Sequence, residues 1–210
     1  ITIPDSVISI GKWAFIGNQI ISITIPDDDI SIEDEAFIGN PRLNSEGWQY
    51  FLSSNKAVIT GCTDTCPSNL VIPNNIDGYS VNRIGYEAFW RNQLTSVTIP
   101  DSVTIIDNFA FWQAELTNVY LADNVTTIGR SAFSGNQIID INIPNSVTSI
   151  GRSAFFGNQL SSIIIPNSLS IIEDKIFSNN QLTTVTIPAS VSSIGSEVFF
   201  ANQLTSVTIP

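Results

Sequence analysis

The sequence contains no histidine and no methionine, only two cysteines, and only 8 lysine and arginine residues in 210. Without histidine no Ser-His-Asp or Cys-His pair can be assembled, and two cysteines alone cannot complete a four-ligand zinc site. The basic residues are outnumbered by 19 aspartates and glutamates, which leaves a formal charge of −11. Such a chain has no basic stripe to neutralise phosphate, which argues against nucleic acid as a partner and equally against an anionic membrane surface. No apolar run approaches the roughly 18 residues that a spanning helix needs, so no membrane insertion is expected of this segment. There is no glycine-rich phosphate loop, and no carboxylate pair lies in a non-repeating, cleft-like context. The chain is therefore read as non-enzymatic, with no cofactor.

What is present is a period. An Ile-Pro step (Val-Ile-Pro or Thr-Ile-Pro in most copies) recurs with prolines at 4, 26, 73, 100, 144, 166, 188 and 210, and Ala122 stands in for one in step. From Pro100 onward every interval is 22 residues. A fixed period of this length marks a solenoid, in which each unit buries its apolar face against its neighbours. Three residues before the proline stand Ile23, Leu70, Val97, Val119, Ile141, Ile163, Val185 and Val207. Six after it come Ile10, Ile32, Ile106, Ile128, Ile150, Ile172 and Ile194, joined by Ile84 once a five-residue insertion is allowed. Eleven after it the residue is always phenylalanine: Phe15, Phe37, Phe111, Phe133, Phe155, Phe177 and Phe199, with Phe89 on the same allowance. The pattern predicts a phenylalanine spine inside the stack. Asn18, Asn40, Asn92, Asn136, Asn158, Asn180 and Asn202 recur fourteen residues after the proline and predict an amide ladder, broken once at Ala114.

The composite Leu-Thr-Ser-Val-Thr-Ile-Pro-Asp-Ser-Val-Thr-x-Ile-Gly-x-x-Ala-Phe-x-x-Asn-Gln resembles the BspA-like (Treponema pallidum type) leucine-rich repeat family over about four-fifths of the chain. The fold expected is a β-rich solenoid of the leucine-rich-repeat type. It is a right-handed stack of 22-residue coils, with a short strand per coil and turns or short 3-10 or helical pieces on the convex side. The resemblance implies a bacterial-type surface or secreted protein, often an adhesin that binds host proteins or neighbouring cells, and it transfers no catalytic residue. Both termini fall in the same phase of a repeat, so the chain is expected to be a window on a longer protein, with signal, caps and anchor outside it.

Three stretches depart from the period. Residues 1–45 are expected to hold a first array of about two units, 46–68 a hairpin-bearing insertion, and 69–210 a second array of six Phe-bearing units continuous with the first. In the first array, Asp27, Asp28 and Asp29 read either as a calcium site or as a solvated acidic edge. In the insertion, Trp48-Gln49-Tyr50-Phe51-Leu52 and Lys56-Ala57-Val58-Ile59-Thr60 read as the arms of the hairpin. Cys62 and Cys66 follow, spaced for a small disulfide as in a secreted protein, with a reduced pair as the alternative.

Two surfaces are candidates for binding. The strand face is neutral and hydroxyl-rich, with Asn69, Val71 and Asn118 among its residues, and is mixed at its middle around Tyr120, Asp140, Asn142 and Ile164. On the convex side, Trp90 and Trp112 occupy adjacent coils with Phe109 nearby, either as a row that docks a sugar ring or partner, or as lids on the core edge. Three functions fit: a protein-interaction module engaging a protein or cell-surface ligand in adhesion, a spacer or filament unit that associates end to end, and ice binding through the threonine face.

Overall fold

The structure is a computed structural model; it describes residues 2–18, 20, 31–33, 36, 40, 42–44, 46–63 and 66–210, with Arg42 and Leu43 described for backbone alone. The chain coils into a β-solenoid of about eight turns spaced roughly 22 residues apart, and no helix occurs among the described residues. Turns fill the convex side where short helical pieces were a possibility. Phe37 and the run Asp27, Asp28 and Asp29 lie outside the described residues.

Each coil contributes to parallel ladders whose register is the sequence period. Ile84, Ile106, Ile128 and Ile150 pair in succession, and Ile172 pairs with Ile194. In the second ladder Leu70, Val97 and Val119 pair in order, as do Val185 and Val207. Strands of two or three residues suffice because each coil rests on the next one rather than on a broad sheet of its own.

Inside the stack the phenylalanines form a continuous column. Phe89, Phe111, Phe133, Phe155 and Phe177 are fully buried. Successive ring centroids from Phe89 to Phe199 lie 5.1, 5.3, 5.6, 5.8 and 6.0 Å apart, with planes within 10° of parallel. These spacings exceed the 4.7–4.9 Å between paired strands, so the coils fan apart on the phenylalanine side. That side is the convex one.

The ring is held by an unusual backbone. The residue two before it is left-handed in coil after coil: Glu87, Phe109, Ser131, Ser153, Lys175 and Glu197 have φ between 51° and 60°. The residue two after it is left-handed as well, at Arg91, Gln113, Gly135, Gly157, Asn179 and Ala201. In the sequence the tightness of this turn shows in the small residue just before the ring (Ala88, Ala110, Ala132, Ala154) and in the glycine two after it in some coils (Gly17, Gly135, Gly157). The glycine after the isoleucine column has a different cause. A Cβ on Gly129 or Gly151 would come within 2.5 Å of the backbone of the preceding coil, so at these two positions successive coils approach too closely for a side chain.

The asparagine column staples one coil to the one before. The Asn158 amide donates to Phe133 O at 2.9 Å and to Phe155 O at 3.2 Å, and its Oδ1 accepts from Ile138 N at 3.1 Å. Asn180 and Asn202 repeat the arrangement one and two coils on, accepting from Leu160 N and Leu182 N. Where Ala114 interrupts the column, its own carbonyl takes the place of the side-chain oxygen and accepts from Leu94 N at 2.9 Å.

The hairpin spans Trp48–Ser53 and Lys56–Cys62, joined through Ser54 and Asn55, both left-handed as a two-residue hairpin turn requires. It is built into the isoleucine ladder: Ile59 pairs with Ile84 in parallel register. Trp48 lies edge-on to Phe89 at 6.5 Å, where the phenylalanine column meets the hairpin. Cys62 and Cys66 are joined, with Cα atoms 5.7 Å apart. A smaller buried cluster of Ile3, Ile10 and Ala36 has Phe15 and Phe51 packed against it.

Replacing Asn158 by alanine strands the buried Ile138 amide, while the Phe133 and Phe155 carbonyls keep the side-chain amides of Asn136 and Asn180. We expect a loss of about 1–3 kcal/mol in urea unfolding. Asn18, which is exposed and donates to Phe15 O and Ile16 O of its own coil, is expected to cost no more than about 0.5 kcal/mol as Asn18→Ala.

Candidate functional site

Two exposed surfaces depart from the repeat, and the fold places them on different sides of the coil. On the strand side, every second side chain faces outward. Ser96 and Thr98, Asn118 and Tyr120, and Thr184 and Thr186 stand on paired strands in this way. Tyr120 is 59 % exposed and Ile164 81 % exposed, and Asp140 and Asn142 between them are exposed too. These four residues belong to three consecutive coils and share one face.

The structure adds Ile139, 56 % exposed beside Asp140. Its column otherwise carries Ser68, Thr95, Thr117, Ser161, Thr183 and Thr205, with a second isoleucine at Ile21. Those hydroxyls are structural: Thr117 Oγ1 donates to Thr95 O at 3.0 Å, and Thr205 Oγ1 donates to Thr183 O at 3.2 Å. Ile139 has no hydroxyl to give. The strand ladder is interrupted in the same place, since residues 140–142 and 162–164 form no strand while the flanking coils do. An apolar side chain in a hydroxyl column was the signal in the sequence, and the reading by outward strand position alone passed over it.

On the convex side the indoles of Trp90 and Trp112 stack at 5.8 Å with planes 8° apart. Phe109 tilts against Trp112 at 5.5 Å, and Tyr86 meets Phe109 edge-on at 5.7 Å. The left-handed backbone at Phe109 turns this ring outward, away from the inner column. Two guanidinium groups lie on the strip: Arg91 over Trp90 at 4.9 Å, and Arg130 over Phe109 at 5.7 Å. Trp90 keeps 38 % of its surface exposed, while Trp112 and Phe109 are half-buried. The coils that follow carry Ser134, Phe156, Ser178 and Phe200 at the tryptophan position; Ser134, next after Trp112, is buried, so the run of adjacent rings ends there.

The three convex residues singled out in the sequence are thus brought into one cluster, and Tyr86, Arg91 and Arg130 join them. Arg130 shares its repeat position with Lys12 and Arg152, whereas Arg91 has no basic counterpart one coil on, where Gln113 stands. The strand-side residues form a separate group.

Among the described residues no group of three or more His, Cys, Asp or Glu side chains is placed to hold a metal ion, and no helix is long and apolar enough to cross a membrane.

The family described as BspA type leucine rich repeat region matches residues 1–76 and 82–206, in six copies. No curated protein matches the chain. Among solved structures, a leucine-rich repeat protein from Bacteroides ovatus is 24 % identical with a TM-score of 0.59, over 78 % of this chain and 52 % of that one. The pneumococcal vaccine antigen PcpA is 21 % identical with a TM-score of 0.62, over 80 % of this chain and 49 % of that one. The leucine-rich repeat protein of T. pallidum is 21 % identical with a TM-score of 0.53, over 80 % and 86 %. The chain spans about half the length of the first two, and at these identities the likeness is one of fold.

A stacked indole pair at this distance couples its transitions. We expect an exciton couplet in the far-ultraviolet circular dichroism that disappears in both Trp90→Phe and Trp112→Phe. A couplet that survives either change contradicts the stacking.

Proposed function

The chain belongs to the BspA-type leucine-rich repeat family, and from that premise we propose that it is a non-catalytic protein-interaction module of a cell-surface or secreted protein, acting in adhesion. A solenoid presents an extended, rigid surface at little entropic cost, which suits it to recognition. The observation that carries the reading is the group Tyr120, Ile139, Asp140, Asn142 and Ile164. Exposed apolar side chains with a polar rim stand together on adjacent coils of a face that is otherwise mostly serine, threonine and asparagine, with Val71 a further exposed aliphatic on it. A partly exposed tyrosine between aliphatic groups is the kind of residue that anchors a protein interface. A surface location is supported by the fold shared with a pneumococcal vaccine antigen and by the acidic, lysine-poor composition.

The test is attachment of beads carrying the chain to cell monolayers. The variant Tyr120→Thr/Ile164→Thr restores the hydroxyl column of the neighbouring coils. It is expected to weaken attachment about tenfold or more, as loss of an aromatic hot spot does. Its thermal midpoint should be unchanged, because both positions are exposed. Undiminished attachment of the variant contradicts the strand-side surface; wild-type beads that do not attach contradict adhesion itself.

A further inference from the structure

The 8 basic residues of this acidic chain are not used alike. Arg83 pairs with Asp107 at 2.6 Å, Lys175 with Glu197 at 3.2 Å, and Arg152 lies 3.9 Å from Asp174. Arg91 and Arg130 are both exposed, and among the described residues neither has a carboxylate within ion-pair distance. Both rest on aromatic rings instead. Arg91 is oriented by one hydrogen bond, from its Nε to Gln113 Oε1 at 3.1 Å, which leaves its terminal amino groups directed elsewhere. Against a net charge of −11, two unpaired guanidiniums fixed at the ends of one aromatic strip are a local reversal of sign.

A guanidinium held on a ring has already lost much of its rotamer freedom, and its planar fork matches a carboxylate. We propose that the strip from Arg91 through Trp90, Trp112 and Phe109 to Arg130 is a second interaction surface, whose partner is a protein segment that presents carboxylate side chains beside apolar ones. The inference rests on the reading of the chain as a protein-interaction module but not on the strand-side surface.

The chemistry favours a peptide over a glycan. A neutral sugar needs an open ring face, whereas each ring here already has another ring or a guanidinium as a partner. A long acidic polysaccharide would carry its charge beyond the strip onto a repulsive surface, while a protein segment can place one or two carboxylates only where the arginines are. The Trp, Tyr and Arg composition is that of protein interface anchors.

The probe is an acetylated octapeptide alternating glutamate with leucine, titrated against the whole chain and followed by tryptophan fluorescence. Saturable binding is expected that weakens as salt rises. Each of Arg91→Gln and Arg130→Gln is expected to lower the affinity about tenfold, in line with loss of a charge-assisted hydrogen bond. The same peptide with glutamine for glutamate should bind at least about tenfold more weakly to the unaltered chain, a comparison that needs no variant to fold. Tyr120→Thr/Ile164→Thr should leave the peptide affinity where it is, so failure here and failure of the strand-side surface are told apart. No binding, equal binding of the glutamine peptide, binding that both arginine variants retain, or tighter binding of an oligogalacturonate of matched charge would each overturn the proposal.

Discussion

No coil of this protein has a core of its own. A phenylalanine such as Phe133 is buried only because Phe111 lies on one face and Phe155 on the other, at 5.3 and 5.6 Å. Stacking in register is thus the condition for burial, and burial of each ring is worth roughly 2–3 kcal/mol. Two further constraints enforce the same register. The asparagine amide reaches a backbone amide of the preceding coil, and Gly129 and Gly151 lie where backbone meets backbone. A slip of one residue would unstack the ring, orphan the amide and drive a side chain into the neighbouring main chain together.

Because the interior is fixed this tightly, variation is left to the outside. Tyr120, Ile139, Asn142 and Ile164 sit at outward positions whose neighbours are Thr98, Thr117 and Thr186, on coils whose buried residues are unchanged. Trp90 and Trp112 likewise extend a turn whose inner residue is the invariable phenylalanine. The solenoid separates the residues that fill the core from those that face outward, so the outer residues can diverge while the core stays the same. The strand-side group and the arginine-aromatic strip are two places where the outside has diverged, one apolar with a polar rim and one cationic.

Much of this was legible in the sequence for a physical reason. A column that repeats must be satisfied by its own copies, and so the isoleucine and phenylalanine columns and the amide ladder could be read as contacts. The backbone could not. The left-handed residues before the ring are Glu87, Phe109, Ser131, Ser153, Lys175 and Glu197, a set with no common chemistry and no glycine to announce it. The repair at Ala114, where a carbonyl replaces the missing amide oxygen, is a main-chain adjustment and leaves no residue signature. Arg91 and Arg130 were invisible as a pair because they occupy different positions in their coils, and only the stacking of Trp90 on Trp112 and Phe109 connects them.

The account stands on the register, and removal of one whole repeat tests it most directly. Deleting residues 145–166 joins Pro144 to Asn167 in phase and takes out one 22-residue coil. The shortened chain is predicted to keep a cooperative unfolding transition and the Trp90–Trp112 couplet, while a deletion one residue shorter loses the cooperative transition. Equal behaviour of the two deletions, whether both fold or both fail, would contradict a stack held in register by its rings.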